Sequence, residues 1–486
     1  MSSPITAPSR PRVLIAGGGL GGQALARALR HAPVELLMID PNNYLTFQPL
    51  LYQVATAGLE PEEIVYPIRG VFRRQSNYRF RLGRVEDVEF DEHRVVLDSG
   101  DRIDYEFLVL ATGACTHHFG IEGASAYSFP LKTLPEAIAL RSHILHQFEL
   151  ADQYPERIRS GLLNFVIVGG GPTGVETAGA LVELLRHTLP NDYPDLPLHR
   201  ARVILLEGGP HLLSQFNPDS QKHAYEALKE QGVDILLGER VIRISEEAVF
   251  LESKRFIRTN TPIWAVGVRA NSLVDRLDLA QSHGGRLVVN PDLSLPNWPN
   301  VFVVGDMAAS CDGEGELYPQ LASVARQSGR YVASAIERRL RREASPPFVY
   351  RNPGLMATVS RHSAVAEFPG DIRLEGVFAW LSWLILHLVL LVGFHNRMHV
   401  LISWLCTYLT HNRSARLILL GAASRESAKP APVQPRVQRL VESHDTCRTG
   451  QEPAHTIPST NDAVDPLRHI KLLLEQQRQD PRARRS

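Results

Sequence analysis

The chain reads as α/β: two Rossmann-like dinucleotide-binding units, then a helical region suited to a membrane surface. Three observations predict this. "RVLIAGGGLGGQALARAL" runs strand, glycine turn, helix. "NFVIVGGGPTGVETAGALVELL" repeats that plan about 150 residues later. "FAWLSWLILHLVLLVGF", residues 378–394, is apolar and carries no formal charge unless His387 is protonated.

The first unit opens on Val13, Leu14, Ile15 and Ala16, a run typical of a strand buried on both faces. Gly17-x-Gly19-x-x-Gly22 follows. The first glycine permits the tight turn, the second lets the backbone approach a pyrophosphate, and the third lets helix pack on strand. The phosphates then sit on the positive end of the helix. A carboxylate for the ribose belongs about 20 residues on, and "VELLMID" ends at Asp40. The second loop is Gly169-x-Gly171-x-x-Gly174, with Glu207 as its acidic partner. A Pro- and Asp-rich loop at residues 188–200 displaces that partner along the chain. A carboxylate there accepts from free ribose hydroxyls and repels a 2′-phosphate, which predicts NADH over NADPH. Further strands are expected at Arg94–Leu97, Phe107–Leu110 and residues 203–206, 249–251 and 301–304.

Composition narrows the function class. Lys and Arg number 52 and Asp and Glu 52, so no global pull toward nucleic acid is expected. Cys115, Cys311, Cys406 and Cys447 include no close pair, which argues against a zinc site or disulfide framework and for a reducing compartment. The N-terminus has no apolar segment before the first strand, so no secretory signal is expected and the nucleotide domains belong in the cytoplasm.

Three further stretches stand in a set order around the loops. They are "LVLATGA" with Thr112 and Gly113, "IWAVGV" with Gly267, and "NVFVVGDMA" with Asp306. Together they resemble the two-dinucleotide-domain flavoproteins. The resemblance implies FAD on Gly17, Gly19, Gly22, Asp40, Thr112 and Gly113, with Asp306 on the ribityl chain. It implies NADH on Gly169, Gly171, Gly174 and Glu207, closed by the loop at Gly267. Disulfide reductases of that superfamily carry a cysteine pair after the first unit, and residues 43–69 hold no cysteine. That stretch, through Phe47, Gln48, Pro49, Leu50 and Leu51, instead resembles the type II NADH dehydrogenases, single-subunit NADH:quinone oxidoreductases that do not pump protons. In that family it lies beside the isoalloxazine ring, which implies a flavin contact for Gln48.

A family signature A-Q-x-A-x-Q-x-G reads here Ala322-Ser323-Val324-Ala325-Arg326-Gln327-Ser328-Gly329. The resemblance implies quinone contacts for Gln327 and Ser323, with Gln320 as a further candidate. Glutamine both donates to and accepts from a quinone carbonyl. Serine is shorter, which leaves the headgroup preference open. Glu176 has two readings. It is a carboxylate favoured by the helix dipole, or, by resemblance, a proton relay at the nicotinamide–flavin contact. Cys115 and Cys311 flank flavin motifs and keep a sulfide:quinone type of reductase, or one with a protein acceptor, as an alternative. A redox-sensing NADH-binding flavoprotein is the other. No metal site is expected.

The resemblance covers about residues 10–420 and divides them. Residues 10–118 and 290–345 form a discontinuous FAD domain, 119–289 the NADH domain, and 346–421 the C-terminal region. Residues 422–486 are expected to be a disordered tail, polar and Pro-rich from 422 to about 462, with a short helix as an alternative at residues 466–479. Residues 377–394 as one helix would be about 27 Å long, just enough to span a bilayer core. Behind them Asn396, His399, Ser403, Thr407 and Thr410 form a polar stripe opposite Met398, Val400, Leu401, Trp404, Leu405 and Tyr408. Two helices lying in one leaflet are therefore expected. Trp380, Trp383 and Trp404 would sit in lipid, and Arg397, Arg413 and Arg416 at anionic headgroups. Expected partners are quinone and the cytoplasmic face of the inner membrane, with a homodimer implied by the resemblance alone.

Overall fold

A computed structural model describes residues 10–410 and 415–419. The expectations for residues 422–486 and for Arg413 lie outside the described residues.

In chain order, the first unit contributes β1 (Arg12–Ala16), α1 (Leu20–Ala28), β2 (Glu35–Asp40), β3 (Tyr78–Leu82) and β4 (Phe107–Leu110). The second contributes β5 (Phe129–Pro130), α2 (Leu134–Gln153), β6 (Asn164–Val168), α3 (Pro172–Glu183), β7 (Arg202–Glu207), β8 (Asp234–Leu237) and β9 (Thr261–Trp264). Then come β10 (Val301–Val303), α4 (Ala322–Leu340), β11 (Leu355–Ser360), β12 (Ser363–Phe368), β13 (Ile372–Glu375), α5 (Gly376–Leu390) and α6 (Phe394–Thr410).

The first sheet is parallel in the order β10-β4-β1-β2-β3, so the chain returns to it after the second unit is complete. Val13, Leu14, Ile15 and Ala16 of its central strand are fully buried, as an apolar run covered on both faces requires. The second sheet repeats the plan in the order β5-β9-β6-β7-β8, also parallel. Helix α4 lies against α1 with backbones almost touching. A Cβ at Gly329 would stand 2.2 Å from the Gly21 carbonyl oxygen, so only glycine permits this crossing.

The C-terminal region is an antiparallel sheet, β11-β12-β13, followed by the helical pair α5 and α6. Here the structure corrects the sequence reading in three ways. First, the single long helix is broken. Helix α5 has 15 residues and ends at Leu390, because Leu391 is extended and Gly393 turns at φ +89°. A Cβ at Gly393 would meet the Tyr66 ring at 2.5 Å. No described helix is long and apolar enough to cross a membrane.

Second, the tryptophans do not face lipid. Trp380, Trp383 and Trp404 are buried; Trp383 and Trp404 pack with Tyr52 and Leu59 in the largest core, and Trp380 against β12. Third, the stripe on α6 is not sorted by polarity: Asn396 is buried while His399 is exposed, and Val400 and Trp404 of the apolar side are buried. Asn396 donates to the carbonyls of Val65 (2.6 Å) and Glu63 (3.1 Å). Ser403 donates to the Glu63 carboxylate, and the Trp404 indole to Gln53 Oε1 at 2.8 Å. Buried carbonyls need donors, so these polar groups turn inward. Phe394, Leu401, Leu405 and Leu409 are left 78%, 43%, 56% and 72% exposed. The arginines are also engaged. Arg397 donates to the carbonyls of Leu391 (2.9 Å) and Val389 (2.7 Å), closing the end of α5, and Arg416 pairs with Asp192 at 2.6 Å.

Candidate functional site: two dinucleotide loops and a cleft at the hairpin

At the first loop Gly17 has φ +110°, and a Cβ there would stand 2.4 Å from the Ala111 carbonyl oxygen. Gly22 would place one 2.1 Å from the Gly17 carbonyl oxygen. Gly19 has only one neighbour, at 3.9 Å, and leaves the N-terminal end of α1 open to a phosphate. Asp40 receives the Gly18 and Asn42 N–H groups at 2.7 Å each. Burial raises its carboxyl above the ordinary range, against the lowering pull of those hydrogen bonds.

These residues line a cleft of about 500 Å³. It brings together Gly17, Gly19, Asp40, Gln48, Thr112, Gly113, Asp306 and Gln320 from segments far apart in sequence. Gly22 does not line it and serves the helix–strand contact instead. Lys132 enters the same cleft with its Nζ 3.5 Å from Asp306 Oδ2. A glycine cradle at a helix N-terminus, a ribose-side carboxylate and a polar far end fit FAD.

The second loop repeats the geometry. Gly169 has φ +114°, Gly174 would place a Cβ 1.8 Å from the Gly169 carbonyl oxygen, and Gly171 faces open space. Glu207 accepts from the N–H groups of Gly170 and Gly209, at 2.6 Å each. Gly267, at φ +74°, packs so closely on Phe119 that a Cβ would lie 2.3 Å from its ring.

Glu176 departs from the helix-dipole reading. It lies beyond the first turn of α3, where no acidic residue stands. Its Oε1 accepts from the Thr358 N–H on β11 at 3.3 Å. Burial raises its carboxyl to about 8, so it is protonated at neutral pH. A hydrogen-bonded chain leads away from it. The Thr358 hydroxyl meets Tyr52 Oη at 2.9 Å, and Gln53 Nε2 donates to the same Tyr52 oxygen at 3.0 Å. Gln53 Oε1 in turn accepts from Trp404 on α6. Glu176, Tyr52, Thr358, Trp383 and Trp404 all line a cavity of about 60 Å³. Tyr52, Gln53 and Thr358 carried no signal in the sequence, because their roles exist only once β11 crosses α3.

The quinone candidates separate. Gln320 reaches the cleft and donates to the Asp306 carbonyl at 2.9 Å. Ser323 instead shares a hydrogen bond with Tyr350 Oη at 2.8 Å. Gln327 uses both ends of its amide on the Arg351 backbone, donating at 2.7 Å and accepting at 3.0 Å. In this structure it holds residues 350–352 to α4. The apolar space lies on the neighbouring face of α4. A cavity of about 470 Å³ is lined by Phe47, Pro49, Tyr66, Ala322 and Leu390–Val392 among others. It shares Leu20, Gln23, Leu45, Thr46 and Ala322 with the flavin cleft. Cys115 and Cys311 are partly buried, and burial raises both thiols, opposite to what thiolate chemistry needs.

Two glycine-loop sheets with a cleft between loop, strand end and α4 define a two-dinucleotide flavoprotein architecture. The family model described as pyridine nucleotide-disulphide oxidoreductase matches residues 11–329. The type II NADH:quinone oxidoreductase Ndh of Mycobacterium tuberculosis is 39% identical over 84% of this chain and 90% of its own length. NdhA of the same organism is 36% identical over 85% and 91%. Among solved structures, NDH2 of Plasmodium falciparum in complex with NADH superposes at TM-score 0.76, with 19% identity, over 85% of this chain and all of its own. The chain belongs to the pyridine nucleotide-disulphide oxidoreductase family, and within it to the type II NADH:quinone oxidoreductases.

Proposed function

We propose that the protein is an FAD-dependent oxidoreductase that moves electrons from NADH to quinone without pumping protons, working from the surface of a membrane. The carrying observation is continuity. The flavin cleft shares a wall with an apolar cavity that reaches the α5–α6 turn. The pair displays an apolar outer face there, with Ile385, Val389, Phe394 and Leu405 all more than half exposed. A long-tailed quinone enters from that side and meets the flavin edge near Phe47 and Ala322.

FAD supplies the two-electron redox chemistry. The chain supplies position. Gly17–Gly22 and α1 hold the pyrophosphate, Asp40 the ribose, and Asp306 with Lys132 the far end of the cleft. Glu207 orients the NADH ribose and disfavours a 2′-phosphate. Neutral Glu176 holds a proton on the route through Thr358 and Tyr52 toward the hairpin, and quinone reduction consumes two protons. We place the cofactor domains at residues 10–118 with 290–345 and at 119–289. The membrane is the cytoplasmic face of the inner membrane, and a homodimer through the C-terminal region completes the reading.

The test is anaerobic stopped-flow on detergent-purified protein, following flavin absorbance. NADH should bleach it fast, NADPH slowly, and a short-tailed quinone should restore it at once. Bleaching without reoxidation by quinone would remove the acceptor.

A further inference from the structure

Arg397 and Arg416, two of the arginines expected to meet headgroups, are occupied, but others nearby are not. The cavity beside the flavin cleft is lined by Arg27 on α1 and by Arg326 and Arg330 on α4. A second cleft, of about 540 Å³, shares Arg27, Tyr66 and Val392 with it and adds Arg30, Arg73 and Arg74. No carboxylate lines either space. Among the described residues, none of the six guanidinium groups has a hydrogen-bond or ion-pair partner. The first three also oppose one another. Burial, then Arg326 and Arg330, hold the Arg27 guanidinium below its usual range, and Arg326 is lowered by burial and by Arg330.

We propose that this six-arginine basin binds the phosphate of an anionic phospholipid and so seats the end of the molecule beside the quinone entrance on a charged bilayer. The inference rests on the reading of the α5–α6 pair as a membrane-docking face. Two observations select a lipid over another anion. The α5–α6 turn, Leu390–Val392, lines the same cavity as Arg27, Arg326 and Arg330. On either side of the turn Val389 and Phe394 are 59% and 78% exposed, a surface along which acyl chains can lie. Charge and apolar area thus meet at one edge, as on proteins that dock to anionic bilayers.

The experiment is co-sedimentation of the full-length, FAD-loaded protein with phosphatidylcholine vesicles, with and without phosphatidylglycerol. Three variants are compared: Arg27→Gln with Arg326→Gln and Arg330→Gln; Arg30→Gln with Arg73→Gln and Arg74→Gln; and Leu401→Ser with Leu405→Ser. The second triple alters exposed side chains only, so it folds even where the first does not, with flavin content and melting temperature as controls. Native protein should prefer phosphatidylglycerol vesicles. Each arginine triple should weaken that binding on the order of a hundredfold, about fivefold per cation removed, and leave the weak phosphatidylcholine binding unchanged. The leucine variant should weaken both. Equal native binding to both vesicles, or undiminished phosphatidylglycerol binding by folded triples, overturns the inference. So does displacement by inorganic phosphate at constant ionic strength, which would make a free anion the ligand. Native protein that binds no vesicle removes the docking reading itself, a separate failure.

Discussion

Glu176 is the residue whose environment most changes its chemistry. Its ordinary carboxyl value of 4.5 is raised to about 8 by burial. Between those values the folded state holds a proton that the unfolded chain has released, so stability falls as pH rises from about 5 through about 8. Glu176→Gln removes this term. Its melting temperature should be flatter than the native one from pH 6 to 9 and higher than native at pH 9, and thermal melts across that range would check it. His387 works in the other sense. Burial lowers its imidazole to about 4, where it stacks on Trp383 with centroids 3.9 Å apart. The unfolded chain then binds the extra proton, so this term is lost as pH falls from about 6.5 to about 4. The apolar stretch therefore stays uncharged at neutral pH. The glycines act by shape alone. Gly174→Ala drives a methyl into the Gly169 carbonyl and should cost about 1–3 kcal/mol. It should raise the KM for NADH while flavin stays bound, which steady-state kinetics and flavin stoichiometry would separate.

At the scale of elements, α6 shows why a periodic pattern has no inside until its partners are known. The helix carries a polar and an apolar face, and the pattern is the same whether water or protein lies on the polar side. Here the buried face takes residues from both: Asn396 donates to the carbonyls of Glu63 and Val65, and Val400 and Trp404 of the apolar side enter the core. The two faces should respond differently to substitution. Asn396→Ala leaves buried carbonyls without donors and should cost about 1–3 kcal/mol in denaturant unfolding. Leu401→Ser with Leu405→Ser should leave the unfolding midpoint within about 0.5 kcal/mol of native, since both side chains are exposed. Helix α4 makes a related point. Its one glycine, Gly329, packs on the α1 backbone, and Gln327 bonds the Arg351 backbone, so these two residues of the signature also serve packing.

For the molecule as a whole, the α5–α6 pair is structural as well as apolar on its outer face. Trp383, Leu391, Val400 and Trp404 belong to the same core cluster as Leu140, Phe165 and Ile263 of the second sheet unit. A chain stopped before residue 376 would strip that cover and open the Tyr52–Thr358 network. It should aggregate and recover less flavin than the full chain, by soluble yield and absorbance ratio. A water-soluble form of the enzyme is better sought by changing the exposed leucines than by truncation.

The sequence by itself determined the two glycine-loop units, the carboxylates Asp40 and Glu207 that accept from the loop N–H groups, and the strands Arg94–Leu97 and Phe107–Leu110. These are local patterns, in which backbone sterics at glycine and the burial of a short apolar run leave little choice. It also marked Gln48, Thr112, Gly113 and Asp306, which only folding brings to one cleft. Only the tertiary structure decided where the C-terminal helices break, which way their stripes face, and which arginines are free. It also decided that Glu176 looks toward β11. Those outcomes depend on which donors and acceptors meet across distant segments. A side chain's direction is set by the partner it finds, and the partner is not written beside it in the chain.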